Sequence, residues 1–150
     1  MANVIYGKAL HSLLKADLDF DTLTVKAMLV GTTYDAIAAN TKRDSHNFRS
    51  DVTDEVTGTG YSSGGVALTG LTVTRDDAND IYYVDADDPS WAGASFTAYG
   101  MVFYKDTGNA ATDILLGYVS FGGAQTVTAQ TFTGTIPATG FFALEPKSGS

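Results

Sequence analysis

The sequence contains no cysteine and only two histidines among its 150 residues. Without cysteine, the chain can form no disulfide framework, no thiolate metal site and no cysteine nucleophile. Two histidines and the lack of a Gly-x-Ser-x-Gly elbow leave little machinery for acyl transfer. These absences argue against an enzyme.

Basic residues are also scarce. Nine lysines and arginines stand against seventeen acidic residues, which gives a formal net charge of −8. Most of such a surface would repel a phosphate backbone, and no basic stripe offsets it, so the composition argues against nucleic-acid binding. The acidity instead favours solubility at high protein concentration.

Long hydrophobic runs are absent as well. No apolar stretch approaches the roughly 18–20 residues of a membrane span, and Met1–Tyr6 lacks the basic and apolar regions of a secretory signal. We therefore expect a protein made in the cytoplasm with no membrane partner. A chain of this length buries roughly 68–70% of the surface that its unfolded form exposes, so residues 1–150 are expected to form one domain with its own core.

Most of the chain follows the alternation typical of β-strands. In Thr22–Val30 one face is apolar, which predicts a half-buried strand. The residues of that face are Leu23, Val25, Ala27 and Leu29. Further strands are predicted at Val66–Thr74, Asp80–Val84, Ser95–Tyr104, Asp113–Phe121, Thr126–Thr135 and Gly140–Leu144. Short strands separated by turn residues predict a mainly β fold, an antiparallel β-sandwich or jelly roll.

The predicted strand Ser95–Tyr104 carries large apolar groups on both faces, which indicates a central strand covered on both sides. Strict alternation places Phe96 and Val102 on one face, and Tyr99, Met101 and Phe103 on the other.

A single helix is predicted at Gly7–Ala16. Its leucines at positions 10, 13 and 14 share one face, with His11 on the polar side. Such a short helix must be held by packing. The least regular stretch, Thr33–Val52, is predicted to be a surface loop, residues 1–6 an N-terminal arm, and residues 145–150 a frayed tail.

The run 85–91, DADDPSW, combines three carboxylates with the single tryptophan. Asp85, Asp87 and Asp88 are candidate calcium ligands, although Pro89 interrupts them and no glutamate completes an EF-hand loop. The interpretation we favour is a solvated connection after a strand, in which the proline turns the chain and Trp91 re-enters the core.

Three other patterns carry no chemistry that the sequence supports. Gly58–Gly65 lacks the lysine of a phosphate loop and leads into a predicted strand, so it is interpreted as a flexible connection. Asp44, Ser45 and His46 are neighbours whose side chains point in different directions, so they form no triad; His46 is expected to make a structural hydrogen bond. The paired carboxylates of a glycosidase are defined by their separation in space, so the sequence leaves that possibility open. No cofactor is predicted.

The order of the segments carries more information than any one of them. The series is Met1–Tyr6, Asp21–Val30, Ser45–Val52, Glu55–Gly65, Asp85–Asp88, Trp91, Val102–Gly108 and Leu115–Phe121. It resembles a family of small structural proteins of tailed bacteriophages, some of them assigned to the capsid exterior. The resemblance covers nearly the whole chain and implies a virion protein without catalytic residues.

Within that class we favour a capsid decoration, or cement, protein. Proteins of this kind are small β-rich modules on the outer head surface, often homotrimers, that bind the major capsid protein and stabilise the shell against packaged DNA. An acidic surface is tolerable there because the shell separates it from the genome. Two other functions stay open: a tail or tail-tip binding module, and a carbohydrate-binding or carbohydrate-cleaving domain, since jelly rolls host such sites.

Val4, Ile5 and Tyr6 of the N-terminal arm, and Phe48 of the irregular loop, are the predicted contacts with the partner. Aliphatic and aromatic anchors of this kind dominate protein interfaces. The competing interpretation is that all four fill the core of the domain itself.

Overall fold

A computed structural model describes residues 3–34 and 40–146. The elements in chain order are β1 (Asn3–Ile5), α1 (Gly7–Leu14), β2 (Val25–Val30), α2 (Asn40–Ser45), a 3₁₀ helix (Arg49–Asp51), β3 (Val66–Ala67), β4 (Thr72–Asp76), β5 (Ile81–Asp85), β6 (Ser90–Lys105), β7 (Leu115–Thr133) and β8 (Phe142–Leu144). The protein is mainly β, which confirms the fold class predicted from the sequence.

The strands form two antiparallel sheets. The larger sheet has the order β1-β7-β6-β2-β3 and the smaller one β4-β5-β8. One hydrophobic core includes residues of both, for example Leu29 and Phe103 from the larger sheet and Val84 and Phe142 from the smaller. Two sheets that face each other across a shared core form a β-sandwich.

A second core lies on the opposite face of the larger sheet. Its buried members are Tyr6, Met28, Val30, Tyr34, Val102, Tyr104, Leu115 and Tyr118. Because β2 contributes to both cores, it is buried on both faces. The prediction that this strand is half-buried is therefore wrong.

The segment 46–52 helps to cover this second core. Phe48 forms an isolated bridge with Ile114, and the backbone N–H of Leu115 donates to Asn47 O at 3.0 Å. The segment predicted as the loop Thr33–Val52 thus includes α2, a 3₁₀ helix and a docked stretch; residues 35–39 lie outside the described part.

Irregular pairing in β6 changes which side chains share a face. The register against β7 is broken between Ala98 and Gly100. As a result Phe96 and Met101 contribute to the first core, and Val102 to the second. Strict alternation had grouped Phe96 with Val102, and that grouping is wrong because one extra residue in a strand reverses the facing of those after it.

Three other predicted strands have different limits in the structure. Predicted Val66–Thr74 is divided between β3 and β4, which belong to different sheets, and Gly70 with φ of 65° lies between them. The strands predicted at 113–121 and 126–135 are instead parts of the single strand β7. Gly122, with φ of 76°, occupies the irregular part of that strand.

The N-terminal residues belong to the domain. Asn3–Ile5 pair with residues 117–119 of β7, and Tyr6 N–H donates to Leu116 O at 3.2 Å. Residues 3–6 are therefore a strand and a core residue, which corrects the predicted arm; residues 1–2 are outside the described part. At the other end, Glu145 and Pro146 follow β8 and are exposed. The rest of the predicted tail, residues 147–150, lies outside the described part of the chain.

The helix α1 ends at Leu14, two residues before the predicted limit. Ala16 has φ of 60°, and its N–H donates to Leu13 O at 3.0 Å while Asp17 N–H donates to Ser12 O at 2.8 Å. This pair of bonds is the Schellman arrangement that stops a helix, here with alanine where glycine is usual.

Candidate functional site

The three carboxylates of the DADDPSW run bond to three separate partners. Asp85 Oδ1 accepts from Ala86 N–H at 2.8 Å. Asp87 Oδ2 accepts from the Thr69 hydroxyl at 3.0 Å. Asp88 Oδ1 accepts from the backbone N–H at position 136 at 2.8 Å. The acidic run ties the connection between β5 and β6 to two distant segments of the chain.

This arrangement does not assemble the calcium candidates Asp85, Asp87 and Asp88 into a site. Among residues 3–34 and 40–146, no group of three or more His, Cys, Asp or Glu side chains is placed to hold a metal ion. The tryptophan that follows is buried at 3% exposure among Tyr61 and Phe132, which confirms its predicted return to the core.

His46 joins a buried chain of hydroxyl groups. Its Nδ1 lies 3.2 Å from Tyr34 Oη, which in turn lies 2.8 Å from Tyr6 Oη. Burial lowers the pKa of His46, raises the pKa of Tyr34 to about 12 and raises that of Tyr6 beyond it. At neutral pH these groups are uncharged, so the chain fixes positions and the predicted structural hydrogen bond of His46 is confirmed.

The predicted contact residues occupy different environments. Tyr6 is fully buried and belongs to the second core, so the interpretation of Tyr6 as an exposed anchor is corrected. Val4 and Ile5 are half-buried, as is Phe48, whose ring has Lys8 Nζ 5.6 Å from its centroid. Three of the four candidates therefore keep some accessible surface.

Val4 and Ile5 line a groove of about 420 Å³ between β1 and β8, hereafter the β1–β8 groove. Leu10 of α1 and Arg43 of α2 also border it, and Phe141 and Ala143 form the side next to β8. Apolar walls with one cation at the margin are suited to binding an apolar group that carries a negative charge.

A smaller apolar depression of about 130 Å³ continues this surface on the other side of β8. Its walls include Leu13 of α1, Phe20 and Val73. Phe142 and Leu144 line it. They alternate along the chain with Phe141 and Ala143, which line the β1–β8 groove. The helix and the last strand thus contribute to both concavities.

Of the exposed large apolar side chains in the described part, Leu10 borders the groove, Val73 borders the depression, and Leu14 lies one helical turn after Leu10. Leu14 is 88% exposed, Val73 60% and Leu10 37%. Together with the groove and the depression they form what we call the apolar face. Contiguous apolar surface is uncommon on soluble proteins outside binding sites.

Sequence reasoning missed this face because it interpreted the leucine stripe of the helix as core-forming. The structure instead packs α1 through the small residues Ala9 and Ser12, with Leu13 half-buried. Three leucines in two turns are the usual content of a core-facing helix, so the pattern held no signal that Leu10 and Leu14 would be exposed.

None of the helices in the described residues is long and apolar enough to cross a membrane. Comparison with family models, with curated proteins and with solved structures finds no match to this chain. The likeness to phage virion proteins therefore stays a prediction, and the candidate site is argued from its geometry.

Proposed function

We propose that this chain is a structural protein of a tailed-bacteriophage particle, which decorates the capsid exterior by binding the major capsid protein through the apolar face. The observation that carries the proposal is the exposure of Leu10, Leu14 and Val73, of which Leu10 borders the β1–β8 groove and Val73 borders the depression. Exposed apolar clusters of this kind mark protein-binding surfaces. The order of segments in the sequence supplies the class of partner.

On a capsid lattice, a small contact surface on each copy is sufficient for stable attachment. Each copy meets the same subunit surface many times over, and linked contacts act at high effective concentration. Self-association of the decorating protein, as the homotrimer that the resemblance implies, multiplies the contacts per particle. The net charge of −8 keeps the free protein soluble despite its apolar face.

The substitution Leu14→Glu tests the proposal without disturbing the fold. Because this side chain is 88% exposed, we expect the free energy of unfolding to change by less than about 0.5 kcal/mol. Burying a leucine contributes roughly 1.5–3 kcal/mol, so the affinity for capsids should fall roughly 10- to 100-fold.

The measurement is co-sedimentation with purified heads that lack the protein. Thr131→Glu, an exposed position on β7, introduces the same charge away from the apolar face and is the matched control. Full occupancy by Leu14→Glu, or absence of the wild-type chain from heads, contradicts the proposal. Recovery of the chain in separated tails would instead support the tail-module alternative. Deleting residues 2–6 is unsuitable, because it removes β1 and a core tyrosine.

Carbohydrate binding is a second candidate, favoured by one feature. A depression of about 250 Å³ combines the ring of Phe121 with the Gln125 amide and the Thr133 hydroxyl. An aromatic ring beside amide and hydroxyl groups suits a neutral sugar. Phe121→Ala should then abolish measurable affinity for a host polysaccharide, whereas flat titrations of the wild-type protein would exclude this function.

A further inference from the structure

The β1–β8 groove runs along the edge of a sheet. Val4 and Ile5 are consecutive in β1, so their side chains point to opposite faces. Val4 packs against the second core and Ile5 against the first. Both nevertheless line the groove, and only a groove that follows the edge of the strand can contact both faces.

Both strands beside the groove end their sheets. β1 is the outer strand of the five-stranded sheet, and β8 is the outer strand of the three-stranded sheet. Within the described ranges, neither has a second strand partner. A free edge offers backbone N–H and C=O groups to an extended chain, and side pockets beside it give specificity.

Arg43 is the one charged residue among the described residues that line the groove, whereas the chain as a whole is acidic. Its Nε lies 3.5 Å from Asp44 Oδ1, with side chains 47% and 70% exposed. An exposed pair at this distance holds the guanidinium weakly. The sequence of α1, GKALHSLL, includes Lys8 and no acidic residue. In a chain of net charge −8 this wall attracts a negatively charged partner.

We propose that the β1–β8 groove binds an extended segment of the capsid subunit, which adds a strand to the free edge of β1. The segment places apolar side chains against Leu10 and Ala143 and a carboxylate against Arg43. This inference rests on the proposed function and specifies how the partner is held. The edge of β1 is short, so a single contact is weak and the lattice supplies the avidity.

Hydrogen exchange on capsids tests the added strand directly. On binding, we expect the backbone amides in peptides that cover β1 to exchange about tenfold more slowly, since these amides acquire strand partners. The peptide covering 125–133 of β7 should be unchanged and is the internal control. Bound protein without protection at β1 overturns the inference.

The charge requirement is tested by Arg43→Glu and Arg43→Lys. We expect about a tenfold loss of occupancy for the first and near wild-type occupancy for the second. The double variant Gln125→Glu with Gln130→Glu shifts the net charge by the same two units at exposed positions of β7 and should bind like wild type.

The outcomes separate this inference from the proposed function. If wild type does not bind heads, both are refuted. If wild type binds and Leu14→Glu does not, while Arg43→Glu keeps full occupancy and β1 stays unprotected, the apolar face is the docking surface and the added strand alone is refuted.

Discussion

Asp113 provides the strongest test of how segment 46–52 is held on the sheet. It is the one charged residue in the described part that is fully buried. Arg49 Nε donates to its Oδ2 at 2.7 Å, and Thr107 donates to its Oδ1 from the backbone N–H at 2.7 Å and from the hydroxyl at 2.8 Å. Burial alone would raise the pKa of Asp113, but these bonds outweigh it and hold the pKa below its usual range.

Asp113→Ala leaves a guanidinium without its carboxylate. Removing one partner of a buried pair costs roughly 3–5 kcal/mol. Arg49 keeps 24% exposure of its side chain and can be partly rehydrated, so we expect the lower end, about 3 kcal/mol. For a chain of this length that corresponds to a fall in Tm of roughly 6–12 °C.

The loss of stability is measured by urea unfolding of Asp113→Ala, Arg49→Met and the double variant. We expect the double variant to be less destabilised than the sum of the singles, because it leaves no unpaired charge. The exposed pair Arg75–Asp77 has the same 2.7 Å separation with side chains 74% and 61% exposed, so Asp77→Ala should leave the midpoint unchanged. Equal losses of stability in Asp113→Ala and Asp77→Ala would refute the argument that burial makes the first pair important.

Four further outcomes are expected. Ala16→Gly should raise the free energy of unfolding by about 1 kcal/mol, because Ala16 is exposed in the left-handed region at φ of 60°; an unchanged urea midpoint would contradict this. Ser12→Ala should cause no loss of stability, since Ser12 Oγ is buried without a hydrogen-bond partner in the described part; a clear loss would reveal a partner. The pKa of His46 is lowered by burial from 6.5, so the folded state excludes the proton: its contribution to stability is complete above pH 6.5 and is lost as pH falls through the folded pKa. Thermal unfolding of His46→Gln should lack that fall, and an identical profile would exclude His46 as its source. Because the carboxylates at 85–88 bond to separate partners, millimolar calcium or EDTA should leave Tm unchanged, whereas a rise with calcium would show a site.

Local pattern was sufficient to predict that most of the strand-forming segments are strands, although it missed β1 and several limits. Alternation in β2 and the apolar content of β6 are properties of a few consecutive residues, and both segments are strands at the predicted places. The facing of Phe96 relative to Val102 was not predictable, because it depends on irregular pairing with a strand that is distant in sequence. The alternation of apolar and polar residues predicts which side chains share a face of a strand only up to its first bulge.

The contacts that hold the second core were beyond sequence reasoning for a related reason. Arg49 and Asp113 are 64 positions apart, and neither lies in a motif. Their pairing follows from the docking of segment 46–52 on the start of β7, which composition described only as irregular. The same docking brings His46 and Tyr34 within hydrogen-bond distance.

The misassigned face of α1 itself supports the proposed function. A sequence that folds without frustration buries its largest apolar side chains and exposes its smallest. This helix departs from that pattern, because Ala9 and Ser12 are buried and Leu13 packs against the core while Leu14 is 88% exposed. Departures from local consistency concentrate at functional sites, where another requirement outweighs stability. Here the free domain gains nothing from exposed leucines, whereas a partner that covers them would bury them, as the proposed docking on a capsid requires.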